Sequence, residues 1–135
     1  MAPHLIKKGN HQVFAFDLNN EVVNKLVKDN NGSAFACKSV EDVSKESCTL
    51  LFFFPVIYCA SNTPWIAVVI TMLPGPKHVK EVYERVFAVA KPGTVFIDAS
   101  TIDPQTAQFV AAQAKDRSHS MVDAPVSGGV GGAEA

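Results

Sequence analysis

Ala67-Val68-Val69-Ile70-Thr71-Met72, followed by Leu73-Pro74-Gly75-Pro76, is a continuous apolar, largely β-branched run stopped by two prolines and a glycine. Such runs suit a parallel strand covered on both faces. Past the break, Val79, Val82, Tyr83, Val86 and Phe87 recur at helical spacing. Pro92-Gly93 turns the chain, and Thr94-Val95-Phe96-Ile97-Asp98 reads as the next strand. Asp103 caps a further helix with Pro104 at its first position, where a missing N–H is harmless, and the pattern runs to about Lys115. Ser120-Met121-Val122-Asp123 is a last strand before a glycine-rich run.

Upstream the same unit repeats. Leu5-Ile6-Lys7-Lys8-Gly9 has the lysines and glycine of a helix end. His11 to Asp17 reads as a strand ending in an acid. Asn19 can cap a helix with Val22, Val23, Leu26 and Val27 on one face, and Asn30-Asn31-Gly32 ends it. Ser33 to Cys37 fits a short strand and Val40 to Glu46 a short helix. Strands alternating with helices predict an α/β, doubly wound parallel sheet.

Composition narrows the function classes. The 135 residues are 47% hydrophobic and 19% charged with a net charge of −1, which is globular and carries no basic stripe for nucleic acid. Three cysteines without a C-x-x-C spacing argue against a disulfide framework and against zinc. Ser47 to Pro76 holds no charged residue, so a membrane span has to be weighed. Pro55, Pro64 and the polar Ser61-Asn62-Thr63 divide it into halves of strand or core-helix length, which makes attachment to a membrane the weaker reading.

The predicted strands end in polar or loop-forming residues: Asp17, Leu73-Pro74, Ser100-Thr101 and Asp123 onward. Open parallel sheets bind ligands beyond the carboxyl ends of their strands. Each residue also has a plainer reading. Asp17 can cap a helix, Leu73-Pro74 can be an ordinary strand-to-helix turn, Thr101 can cap locally beside Asp103, and Ser127-Gly128-Gly129 can be a flexible tail.

Three ordered motifs carry a resemblance: Val69-Ile70-Thr71-Met72-Leu73-Pro74, then Phe96-Ile97-Asp98-Ala99-Ser100-Thr101-Ile102-Asp103-Pro104, then Val122-Asp123-Ala124-Pro125-Val126-Ser127-Gly128-Gly129. Together they resemble the β-hydroxyacid dehydrogenases. The resemblance implies a Rossmann-type cofactor domain over residues 1–135, NAD as cofactor and a small β-hydroxyacid as substrate. It also implies homo-oligomers and, for a eukaryotic source, valine catabolism in the mitochondrial matrix. By the same resemblance, Asp17 takes the adenosine ribose and disfavours a 2′-phosphate, while Leu73, Pro74 and Thr101 contact the cofactor. Ser127, Gly128 and Gly129 hold the substrate carboxylate.

Departures from the family shape the remaining expectations. His78 stands where the family often has Asn. No G-x-G-x-x-G precedes Asp17, so the first strand and its phosphate loop are expected to be absent, and the cofactor to bind more weakly than micromolar. The family's catalytic lysine and all-helical domain are expected beyond Ala135, which leaves no catalytic residue here and no turnover by this chain alone. Residues 48–66 read as an insertion. Losing a central strand compares with a whole domain's stability, about 5–15 kcal/mol, so the fold is expected to be marginal unless the Leu50–Ile57 run supplies a strand.

Overall fold

A computed structural model describes residues 6–7, 12–30, 32–45, 49–51 and 68–126. The strands are β1 (Val13–Ala15), β2 (Ala34–Ala36), β3 (Thr49–Leu51), β4 (Val68–Thr71), β5 (Val95–Asp98) and β6 (Ser120–Asp123). The helices are α1 (Asn20–Asp29), α2 (Val40–Lys45), α3 (Pro76–Phe87) and α4 (Pro104–Asp116). Each described strand pairing is parallel: β1 with β2, and β3, β4, β5 and β6 in that order. β1 packs beside β3, so the strands follow one another as β2-β1-β3-β4-β5-β6. The order reverses direction between β1 and β3, which is where doubly wound sheets open a crevice for ligands.

Helix limits follow from their caps. Asn19 accepts a hydrogen bond from the Glu21 N–H at 3.0 Å and starts α1. Asp103 accepts from the Thr106 N–H at 2.8 Å and starts α4, with Pro104 behind it. Gly93 has φ +84°, the left-handed backbone that the Pro92-Gly93 turn needs, and its N–H donates to the Ser118 carbonyl at 3.0 Å.

The main core lies under α3 and α4. Val69 and Phe96 project from neighbouring strands onto Val79, Tyr83, Val86 and Phe87 of α3, and Val110 and Ala114 of α4. Phe96 meets Phe87 edge-on at 5.0 Å between centroids and Tyr83 at 5.6 Å. A smaller core joins Val13, Ala15 and Ala34 to Val23 and Leu26 of α1, with Ile6 beside them.

Several expectations need correction. Strand β1 ends at Ala15, leaving Phe16 and Asp17 beyond the ladder. Val22 is 45% exposed and does not share the buried face of Val23 and Leu26. The run at β4 is not sealed on both faces: Val69 and Thr71 are buried, whereas Val68 and Ile70 are half-buried. The reason is coverage, since α3 and α4 close one face while α1 lies over β1 and β2 and reaches only Ile70.

The uncharged stretch is divided in the same way. β4 takes its second half into the sheet, and among the described residues no helix is long and apolar enough to cross a membrane. A strand does form near the Leu50–Ile57 run, but it is Thr49–Leu51, registered Thr49 to Val68 and Leu51 to Ile70. It fills the place between β1 and β4. The remainder of that run, the residues around Lys8-Gly9, and Ser127 to Gly129 lie outside the described residues.

His119 is 8% exposed, stacks on Phe87 at 5.8 Å, and its Nδ1 has no hydrogen-bond partner among the described residues. Burial, with a smaller contribution from Arg117, pushes its pKa below the ordinary 6.5. The folded state therefore binds fewer protons than the unfolded chain, and stability is lost as pH falls below about 6.5. His119→Phe keeps the stacking surface and removes the titration. The expected outcome is a thermal midpoint that falls less between pH 7 and pH 5 than that of wild type, measured by circular dichroism.

Candidate functional site

The parallel ladders deliver the ends of β1, β4, β5 and β6 to one rim. Beyond β1, Phe16 and Asp17 lead into α1. Beyond β4, Leu73 and Pro74 lead into α3. Between these two turns lies a cavity of about 560 Å³. That is within the range of small-molecule sites, about 300–1,000 Å³. Leu18 and Val22 form one apolar wall, and Leu73, Pro74 and Val82 form the other. Leu18 is 80% exposed, an apolar side chain offered to the cavity mouth.

Asp17 is one of the polar residues of the lining, with Asn19, His78, Glu81 and Arg85. Its side chain is 1% exposed, and Oδ1 accepts from the Asn19 N–H at 2.7 Å. Oδ2 is buried and has no partner among the described residues. Burial raises the Asp17 pKa, opposed by the smaller effect of the Asn19 hydrogen bond. A buried carboxylate oxygen without a donor is costly.

The cavity is braced from α2. Arg85 donates from Nε to Glu41 Oε1 at 2.6 Å and from a terminal nitrogen to Oε2 at 3.0 Å. This two-point contact joins α2 to α3 and holds Glu41 below the usual carboxylate range. His78, exposed in the first turn of α3, also lines the cavity.

A hydrogen-bonded chain runs under the rim. The Tyr83 hydroxyl lies 2.6 Å from Thr71 Oγ1, and Thr71 donates to Asp98 Oδ1 at 2.9 Å. Ser100 donates to the same oxygen from both its N–H, at 3.0 Å, and its hydroxyl. The Leu73 N–H donates to Ser100 Oγ at 2.8 Å. Thr71, Asp98 and Ser100 are fully buried.

The predicted site residues fall as follows. Asp17, Leu73 and Pro74 share the cavity. Thr101 is exposed on the adjoining turn after β5, and its Oγ1 lies 3.4 Å from the Val126 carbonyl, which accepts from it. Ser127, Gly128 and Gly129 lie outside the described residues. The sequence reading missed Leu18 and Val22 as walls, and the Glu41–Arg85 brace. Leu18 carried a signal, being an apolar residue between an acid and a cap where a surface turn needs none. The brace carried no signal, because its partners lie 44 residues apart.

A smaller groove of about 360 Å³ lies between α3 and α4, lined by Tyr83, Phe87 and Phe109. It sits over the later turns of both helices, away from the rim.

A parallel α/β sheet with an apolar cavity and a buried acid beyond its strand ends defines a dinucleotide-binding domain. Comparison with known proteins agrees. Residues 1–135 match the model of the NAD-binding domain of 6-phosphogluconate dehydrogenase, and the chain belongs to that family, whose cofactor is NAD. A probable mitochondrial 3-hydroxyisobutyrate dehydrogenase of Dictyostelium discoideum is 40% identical over 137 residues, covering 99% of this chain and 36% of that protein. An NAD-dependent L-serine dehydrogenase of Pseudomonas aeruginosa is 34% identical over 138 residues, covering 100% of this chain and 39% of that one. The structure of Mycobacterium tuberculosis 3-hydroxyisobutyrate dehydrogenase with L-serine matches with a TM-score of 0.73 at 29% identity, over 98% of this chain and 38% of that one. The chain thus spans under two-fifths of the length of these relatives.

Replacing Asp17 exposes the energetic cost of its burial. Its raised pKa means that the folded state gains protons relative to the unfolded chain, so stability falls as pH rises past the ordinary 3.8. Asp17→Asn keeps an acceptor for the Asn19 N–H and removes the buried charge. At pH 7 its thermal midpoint is expected to exceed that of wild type by a few degrees, on the order of 1 kcal/mol. The gap is expected to close as pH drops through the carboxylate range in a thermal-melt series.

Proposed function

We propose that this chain is the cofactor-binding part of an NAD-dependent dehydrogenase of small β-hydroxyacids, with 3-hydroxyisobutyrate as the leading substrate. The observation that carries the reading is Asp17, a lining residue of a largely apolar cavity whose buried Oδ2 has no partner among the described residues. An adenosine fits both demands. Its base would lie between Val22 and the Leu73–Pro74 wall, and a ribose hydroxyl would donate to Asp17. A 2′-phosphate there would meet a desolvated carboxylate, so NAD is preferred over NADP. His78, in place of the amide common in the family, offers its ring at the mouth of the cavity.

Bound NAD would supply a hydride acceptor for the carbinol carbon of the substrate. Thr101, next to the chain that leads to Ser127, would line the nicotinamide side, and Ser127, Gly128 and Gly129 would meet the substrate carboxylate. The proton released from the substrate hydroxyl needs a base. Asp17 is committed to the adenosine end, and no lysine is among the described residues lining that cavity. The part this reading gives to the described residues is binding of the cofactor. Three of the relatives are named as hydroxyacid dehydrogenases or an L-serine dehydrogenase, which supports the substrate class. The Dictyostelium relative is named as mitochondrial, which supports that compartment; valine degradation is the proposed setting.

Calorimetric titration tests the reading. Wild type is expected to bind NAD more weakly than micromolar and to prefer it over NADP by about tenfold or more, roughly 1.4 kcal/mol. Asp17→Ala is expected to abolish the preference. Equal affinity of wild type for the two nucleotides would contradict it.

A further inference from the structure

We propose that Ser100, oriented by Asp98, is a positioning residue that fixes the Leu73–Pro74 wall of the cavity for the cofactor; this rests on the reading of that cavity as the adenosine site. The backbone ladder between β4 and β5 ends just before the wall. The Ala99 N–H donates to the Thr71 carbonyl at 2.7 Å, and two residues later the Leu73 N–H donates to the hydroxyl of Ser100 at 2.8 Å. One side-chain oxygen thus sets where the chain leaves the sheet and turns into α3. Leu73 is 5% exposed and belongs to both the core and the cavity, so a shift of its backbone moves the wall directly.

Asp98 orients that hydroxyl. A serine O–H rotates freely unless an acceptor holds its proton. Asp98 Oδ1 accepts it, which leaves a lone pair of Ser100 Oγ facing the Leu73 N–H. The same Oδ1 accepts from Thr71 and from the Ser100 N–H. Thr71 spends its proton on Asp98, so the Tyr83 hydroxyl donates to Thr71 and ties the cluster to α3. Oδ2 of Asp98 is buried with no partner among the described residues. The carboxylate therefore works through one oxygen, and an amide oxygen in its place can do the same.

The test uses the whole chain in four forms: wild type, Ser100→Ala, Asp98→Asn and Asp98→Ala. Amide hydrogen exchange is read by NMR and NAD affinity by calorimetry. Ser100→Ala and Asp98→Ala are expected to speed exchange of the Leu73 amide about tenfold relative to those of Val69 and Phe96, and to weaken NAD binding about tenfold. Asp98→Asn is expected to keep both within about threefold of wild type. If Asp98→Ala does not fold, Ser100→Ala and Asp98→Asn still decide. The proposal is overturned if Ser100→Ala leaves the Leu73 amide protected. It is overturned equally if exchange rises uniformly along β4 and β5, as a merely structural role requires, or if Asp98→Asn behaves like Ser100→Ala. A wild-type chain that binds no NAD overturns the cofactor reading and with it the cofactor role of Ser100. Leu73 exchange then reports separately whether Ser100 fixes the turn.

Discussion

Asp17 keeps one carboxylate oxygen out of water without giving it a donor, and the surrounding structure makes that placement possible. Its other oxygen holds the Asn19 N–H, and Asn19 in turn caps α1. The acid therefore shapes the turn that carries it. Phe16 beside it packs onto the main core, and Leu73 on the opposite wall belongs to that core. A polar group in such surroundings costs free energy until a ligand pairs with it. In the proposed reading a ribose hydroxyl would repay that cost, and a phosphate at the same point would add repulsion.

The sheet sets the distances. Parallel strands in register bring the turns after β1 and β4 to one rim, and β3 separates the two ladders there. Binding and stability share residues as a result. Leu73 and Val40 are core members that also line the cavity. A ligand that binds only the folded state therefore stabilises the core it touches. The Glu41–Arg85 contact closes the same cavity from α2, on the surface, where such a pair is worth at most about 1 kcal/mol. Its role is geometric: it keeps a six-residue helix beside α3.

Much of this was legible in the chain. The β-branched run at Val68–Thr71, the cap at Asn19 and the Asp103-Pro104 pair are local signals, and local hydrogen bonds and sterics fix what they do. The last strand, Ser120–Asp123, falls where its pattern predicts. Burial on the second face of β4 was not legible, because it depends on how far α1 reaches. The position of Val22 was misread for a related reason: helical spacing places it one residue from the buried stripe, and only the cavity explains an apolar side chain there. Asp98 and Ser100 stood in a motif, yet their joint hold on Leu73 spans 27 residues and needs two registered strands to be seen. The Thr49–Leu51 strand lay inside a run whose apolarity fitted several structures.

The most direct test of the account is an amide shift map of the whole chain titrated with adenosine monophosphate. The account predicts perturbations concentrated at Phe16 to Asn19 and at Leu73 to His78, the two turns that wall the cavity. Shifts centred instead on the groove between α3 and α4, around Phe109 and Arg117, or no localised shifts at all, would contradict it.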